Sequence, residues 1–143
     1  MNRIRLKQLS KKFRDAILKC DLSELCSSLT SFPIESCADA SMLLGTYLID
    51  NGIGAFNLIK GKRGEGNFLE THYWLERDNI IVDITANQFD DVNEEVVITG
   101  LDSSWYNSFK KEIRQEANFR NIPFKDIRNM LSANYDYILQ FEK

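Results

Sequence analysis

The chain has 143 residues, of which 43% are hydrophobic and 27% are charged, and its formal net charge is −3. This length and composition predict one globular domain over residues 1–143 with a single core. The slight negative charge without a long basic run argues against nucleic acid as a partner, and no apolar run approaches the roughly 18 residues of a membrane helix.

The cysteine and histidine content bears on the redox state of the thiols and on metal binding. Cys20, Cys26 and Cys37 are an odd number of cysteines without the spacing of a disulfide framework, which favours reduced thiols and a cytoplasmic protein. The basic start of the chain also lacks the apolar segment of a signal peptide. With one histidine and no usual ligand spacing we expect no metal, and we expect no cofactor because the phosphate-binding loop motif is absent.

The first third of the chain predicts helices. Apolar residues recur at helical spacing from Ile4 to Leu18, which indicates a first helix. Asp21 could cap a short second helix that extends through Ser28. The helical pattern then ends at TSFP, because the residue before Pro33 is disfavoured in the α region.

A further predicted helix runs from Cys37 to about Asp50. Ser36 is a good N-cap residue, and Asp39 three positions later completes a pattern similar to a capping box. The Asn-Gly pair after Asp50 supplies a C-terminal stop. This helix is apolar on most sides, so we expect it to be buried at the centre of the fold.

The second half of the chain predicts a small sheet and two more helices. The strand-like runs are GAFNLIKG, NFLETHYWLE, NIIVDIT and EEVVITG, and the glycine-rich segment GKRGEGN after the first run reads as a connector or flap. SSWYNSFKKEIRQEANF, from Ser103, predicts one helix, and the last helix should have Pro123 in its first turn. Helices, an antiparallel sheet and further helices define an α+β domain.

Two neighbouring strands carry His72 and Asp83. A two-residue turn at Asp78 and Asn79 would bring both side chains to one face of the sheet as diagonal neighbours. The carboxylate stands in the apolar run IIVDIT and needs a partner, since an unpaired buried charge is very costly. The only histidine of the chain is the natural partner.

These residues could form an activated nucleophile. Cys37 at a helix start would gain from the helix dipole, which favours the thiolate. His72 could accept the thiol proton and Asp83 could orient the imidazole. We expect the sulfur within about 4 Å of one ring nitrogen, with the helix packed across the face that carries the histidine. Three further residues could contact an oxyanion or the substrate: Ser36, Trp74 and Gln88.

Each residue also has a structural interpretation. A cysteine in an apolar helix most often packs, a strand histidine beside a tryptophan is often part of the core, and Asp83 could serve a turn. Cys20 and Cys26 have no comparable context and are expected in the core. The combination is more informative than its members, because order, spacing and element type agree.

The segment from Phe32 to Phe89 resembles the core of papain-like, transglutaminase-like cysteine enzymes. That core has a Cys at a central helix, a G-I-x-A turn into a strand, an H-x-W-x-E strand and a following Asp; the Cys37 helix, NGIGAFNLIKG, THYWLE and IIVDIT correspond. The segment is also similar to bacterial uncharacterised proteins with a Cys helix, a HAWLE strand and a DITADQF strand. It differs at Glu35, where many such cores have Gly, and in GIGAF instead of GIPAR.

The resemblance implies Cys37 as nucleophile, His72 as general base and Asp83 as orienting acid, in a catalytic core over about residues 32–100. The implied activity is that of a cysteine peptidase, amidase or transglutaminase-like acyltransferase, acting on a peptide, a protein or a small amide. Two alternatives stay open. One is a non-catalytic binding module with the same fold, and the other is an effector-type transglutaminase or deamidase that acts on a protein partner.

Overall fold

A five-stranded antiparallel sheet forms the middle of the computed structural model, which describes residues 1–143. The strands are β1 (Asn57–Arg63), β2 (Glu70–Arg77), β3 (Ile80–Asp83), β4 (Val97–Gly100) and β5 (Lys110–Glu116), in the spatial order β4-β3-β2-β1-β5. The helices are α1 (Arg3–Lys19), α2 (Cys37–Asp50), α3 (Ser104–Asn107) and α4 (Lys125–Leu139). The predicted α+β class is confirmed. None of the helices combines the length and the apolar character that crossing a membrane requires.

Helix α2 is buried between the sheet and the two long outer helices. Leu43 of α2 lies in the same core cluster as Leu75 of β2, Phe13 of α1 and Tyr135 of α4. The helix also approaches the chain after β5 closely: a Cβ atom on Gly45 would stand 2.4 Å from the Cβ of Ala117. The prediction of a central, buried helix over Cys37–Asp50 is therefore confirmed.

A second, smaller cluster covers the opposite face of the sheet. It contains Trp74 of β2 and Ile81 of β3, with Tyr106 and Phe109 packed on them. Since side chains alternate along a strand, His72 points to this face together with Trp74. We expected α2 to pack across the face of the histidine, and this is wrong, because α2 packs on the Leu75 face.

The β2–β3 hairpin has the register that the sequence predicts. Asp78 and Asn79 form its two-residue turn with positive φ angles of 47° and 64°, as a type I′ turn requires. Arg77 pairs with Ile80 across the turn. Because β3 ends at Asp83 while β2 continues back to Glu70, the part of β2 that holds His72 has a strand neighbour only on the β1 side.

The long helix predicted from Ser103 is wrong. Only Ser104–Asn107 is helical, and Lys110–Glu116 is the edge strand β5, paired with the outer side of β1. The segment KKEIRQE consists of good helix formers, but propensity is a weak preference. Pairing with β1 satisfies its backbone groups and overrides that preference.

Three local predictions also need correction. The helix expected from Asp21 through Ser28 is two single-turn 3₁₀ helices, because the chain is extended at Leu25 and Cys26. α4 begins at Lys125, so Pro123 precedes the helix. The capping box does not form, because the Ser36 side chain makes no capping hydrogen bond and the Asp39 carboxylate accepts from Ser28 instead.

Candidate functional site

The site is built on the buried pair of His72 and Asp83. The imidazole Nε2 lies 2.6 Å from Oδ2 of the carboxylate, and both side chains are fully buried. Three further donors hold the carboxylate. The Tyr106 hydroxyl donates to Oδ2 at 2.8 Å, and the backbone N–H and the hydroxyl of Thr85 donate to Oδ1 at 2.9 Å and 3.4 Å. Asp83 therefore has hydrogen-bond partners on both oxygens and is fixed in place.

The charge of Asp83 controls the protonation of His72. Burial has the largest single effect and lowers the pKa of His72, while the carboxylate charge of Asp83 and its hydrogen bond raise it. The Cys37 thiol, through a hydrogen bond and its charge, raises it further, and the resulting pKa is about 9 instead of the ordinary 6.5. At neutral pH the ring therefore carries both protons, and one of them faces Asp83.

Helix α2 brings Cys37 to the imidazole. Cys37 is the first helical residue and is half-buried, so the thiol is accessible at a helix N-terminus. The other two cysteines are also unpaired but lie elsewhere: Cys20 is in the core, where burial raises its pKa, and the Cys26 thiol contacts Ser28 Oγ. No three His, Cys, Asp or Glu side chains are arranged to hold a metal ion.

Gln88 joins the segment before Cys37 to the histidine. Its side-chain nitrogen lies 3.3 Å from Nδ1 of His72, and its oxygen accepts from the Glu35 backbone N–H at 3.4 Å. An amide nitrogen can donate to Nδ1 only while the ring is neutral. When Nδ1 carries a proton, it no longer accepts, and the amide N–H groups of Gln88 are free for another acceptor.

The other two predicted contact residues differ in their surroundings. Trp74 is fully buried, and its indole N–H donates to Glu76 at 2.7 Å. The indole N–H is therefore already occupied, and Trp74 supports the histidine ring, with 5.7 Å between ring centroids. Ser36 is also buried, and its hydroxyl has no hydrogen-bond partner.

Sequence reasoning missed most of the residues that surround the imidazole. Phe89, Trp105 and Phe109 all lie within 6.2 Å of the His72 ring, measured between centroids. Trp105 and Phe109 belong to the segment that was predicted as helix, and Tyr106 between them holds Asp83. The dense group of aromatic residues in SSWYNSF was a usable signal, because such a cluster is typical of a buried face.

A buried arginine positions the segment after Asp83. Arg14 of α1 donates to the backbone oxygen of Ile84 at 2.9 Å and to the Asn87 side chain at 3.2 Å. These bonds tie the 3₁₀ turn Ala86–Gln88 to α1. Arg14 therefore helps to place the amide of Gln88 beside the histidine.

Comparisons with protein-family models, with curated proteins and with solved structures found no match to this chain. The interpretation of the site therefore depends on its own geometry. Its three central features are a half-buried thiol at a helix N-terminus, an imidazole beside it and a fully hydrogen-bonded carboxylate behind the imidazole.

Proposed function

We propose that this protein is a cysteine-dependent acyl enzyme with a papain-like, transglutaminase-like core. Cys37 is the nucleophile, His72 is the acid and base, and Asp83 orients the imidazole. The observation that carries the proposal is that one ring nitrogen of His72 is bound to Asp83 at 2.6 Å, while the Cys37 thiol at the start of α2 lies near enough to raise the pKa of the same ring. This is the arrangement that an activated nucleophile needs.

The first half of the reaction forms a thioester. The Cys37 thiolate attacks the carbonyl carbon of an amide, and the new S–C bond gives a tetrahedral oxyanion. When the C–N bond breaks, the proton on Nδ1 of His72 passes to the leaving amine. The ring is then neutral, and Asp83 keeps the remaining proton on Nε2, which is the tautomer that the second half requires.

The second half transfers the acyl group. Neutral His72 accepts a proton from water or from an amine, whose oxygen or nitrogen attacks the thioester carbonyl. The C–S bond breaks, the acyl group leaves as an acid or a new amide, and the thiolate is restored beside the imidazolium. The same residues thus support hydrolysis and transfer, and the choice depends on which nucleophile enters the site.

The start of α2 and Gln88 are the donors closest to the developing oxyanion. The first N–H groups of a helix have no partner within the helix, and they point out of its N-terminus beside Cys37. The amide of Gln88, which lies against Nδ1 of His72, supplies a side-chain donor on the other side. Donors fixed in this way stabilise the charged intermediate without reorganisation.

The test measures the reactivity of each thiol separately. The folded protein is treated with dilute iodoacetamide at about pH 6, where ordinary thiols near pKa 8.5 are almost fully protonated, and the modified peptides are quantified by mass spectrometry. Cys37 should react first and Cys20 last. A second incubation with p-nitrophenyl acetate should leave the acetyl group on Cys37 as a thioester. His72→Ala should reduce the rate of acetylation to that of Cys37→Ala.

Cys26→Ser is the matched control, because Cys26 is half-buried like Cys37 but its thiol lies against the Ser28 hydroxyl, at 3.2 Å. This variant should acylate at the rate of the wild type. Equal alkylation of Cys26 and Cys37 at about pH 6, or acetylation that does not depend on His72, would contradict the proposal.

A further inference from the structure

A basic surface on the sheet face that α2 covers has no role in the proposed reaction. Lys60 and Lys62 of β1 and Lys110 of β5 line an open hollow of about 330 Å³. Lys111 and Glu112 complete the lining, and the Glu112 carboxylate is paired with Arg114 at 2.7 Å. None of the first three lysines takes part in an ion pair, whereas the adjacent Lys111 pairs with Glu76 at 3.2 Å. Three unpaired ammonium groups stand together here in a chain whose net charge is −3, so they form a local concentration of positive charge.

The strand register places Lys60 and Lys62 on the strand beside the one that holds His72, with their side chains on the opposite face of the sheet from the imidazole. Lys60 pairs with Tyr73 and Lys62 with Thr71, on either side of the position where Gly61 pairs with His72. Because side chains alternate along β1, Lys60 and Lys62 share the face of Leu58, which is the face that α2 covers. The Lys60 ammonium lies 5.9 Å from the centre of the Tyr73 ring.

Tyr73 joins the basic hollow to an apolar cleft. This second cleft, of about 310 Å³, lies between the first turn of α2, the sheet and the start of α4. Its lining includes Ala38, the residue after Cys37, and the exposed side chains of Phe124 and Ile127. The two spaces therefore lie side by side on the sheet face that α2 covers, and together they are called here the basic-apolar groove.

Protection of a sheet edge does not account for the lysines. Lysines on an edge strand prevent pairing with other chains, and this explanation suits Lys110 on β5. Lys60 and Lys62 lie on β1, which is hydrogen-bonded to β2 on one side and to β5 on the other. Their charges therefore need another explanation.

We propose that the basic-apolar groove binds the substrate as an acidic polypeptide segment that carries a large apolar side chain. The carboxylates would contact Lys60, Lys62 and Lys110, and the apolar side chain would enter the cleft beside Tyr73 and Ile127. An extended segment held in this way passes the thiol with its backbone or a side-chain amide in reach. This inference rests on the proposed function, since it identifies the substrate class of that site.

The experiment measures binding of labelled peptides to the Cys37→Ala protein, which prevents turnover. The probe is a short fluorescein-labelled peptide of glutamates around one leucine and one glutamine, followed by anisotropy at low ionic strength. The triple variant Lys60→Gln/Lys62→Gln/Lys110→Gln should weaken binding about tenfold, as the loss of three exposed charge contacts implies. Raising the salt to about 0.5 M should remove most of the difference.

The matched control removes the same number of positive charges from lysines outside the groove. Lys7→Gln/Lys19→Gln/Lys143→Gln alters three exposed lysines that take part in no ion pair, and it should bind the acidic peptide like the parent. Replacing leucine by serine in the peptide should also weaken binding. Absence of saturable binding, equal binding of a peptide with lysines in place of glutamates, or an equal loss in the control variant would each overturn the inference.

A second readout separates this inference from the proposed function. In the otherwise wild-type chain, the ratio of Cys37 alkylation rates with iodoacetate and iodoacetamide reports the electrostatic potential at the thiol. The lysine variant should lower this ratio about threefold at low salt. A reactive Cys37 with an unchanged ratio counts against the groove alone, whereas an unreactive Cys37 with retained peptide binding counts against the enzyme alone.

Discussion

His72 should make the stability of the protein depend on pH. Its pKa is raised from 6.5 to about 9 in the folded protein. Because the protonated ring is favoured by folding, its stabilising contribution is complete below about pH 6.5, the unfolded value, and is lost as the pH rises through about 9. At roughly 1.36 kcal/mol per pH unit of displacement, the full contribution is up to about 3 kcal/mol.

The direct assay is the NMR titration of the imidazole C–H signals, which are unambiguous because the chain has one histidine. The titration midpoint should lie near pH 9 in the wild type. Asp83→Asn should move it below the ordinary value of about 6.5, because burial still lowers the pKa of His72 while the carboxylate charge is gone. Cys37→Ala should lower it by less, because the thiol contributes less than Asp83.

The energetic assay is urea unfolding at several pH values from about 6 to about 10. It uses the Cys37→Ala chain, so that His72 and Asp83 are measured without the contribution of the thiol to the pKa of the ring. The same series in Cys37→Ala/His72→Gln serves as control, since Cys20, Tyr47, Tyr106 and Tyr135 also have raised pKa values and titrate in both proteins. The reasoning fails if both proteins lose equal stability, or if wild-type His72 titrates at or below about pH 6.5.

Three further substitutions test the surroundings of the pair by thermal or urea unfolding. Asp83→Ala should cost about 3–5 kcal/mol, since it leaves the buried imidazole without its charged partner; a cost below about 1 kcal/mol would show that the pair is not structurally coupled. Tyr106→Phe should cost about 1–2 kcal/mol through the lost hydroxyl bond to Asp83, while Tyr137→Phe, whose hydroxyl lies at an exposed contact, should stay within about 0.5 kcal/mol. Gly61→Ala should cost about 1–3 kcal/mol, because its Cβ would stand 2.5 Å from the Trp74 ring; an unchanged midpoint would mean that Trp74 can move aside.

The sequence determined the local elements that carry the candidate site. Helix α2 follows from its apolar composition and its Asn-Gly stop, and both are local signals. The β2–β3 register follows from the Asp-Asn turn, because a two-residue turn leaves one pairing for the strands. A buried carboxylate also needs a partner. These two facts together were enough to predict that Asp83 and His72 meet.

Only the tertiary structure decided what surrounds the pair. β5 exists because β1 offers an unpaired edge, and KKEIRQE by itself favours a helix. Tyr106 donates to Asp83 although the two residues are 23 positions apart in the sequence. The periodicity of a helix or a strand relates only residues within the same element, so it could not predict this contact. The face that α2 covers also depends on long-range packing, because an α-helix apolar on most sides can be buried in several orientations. Local signals therefore predicted the residues of the candidate site, while the contacts that hold and enclose them depended on pairing and packing between distant segments.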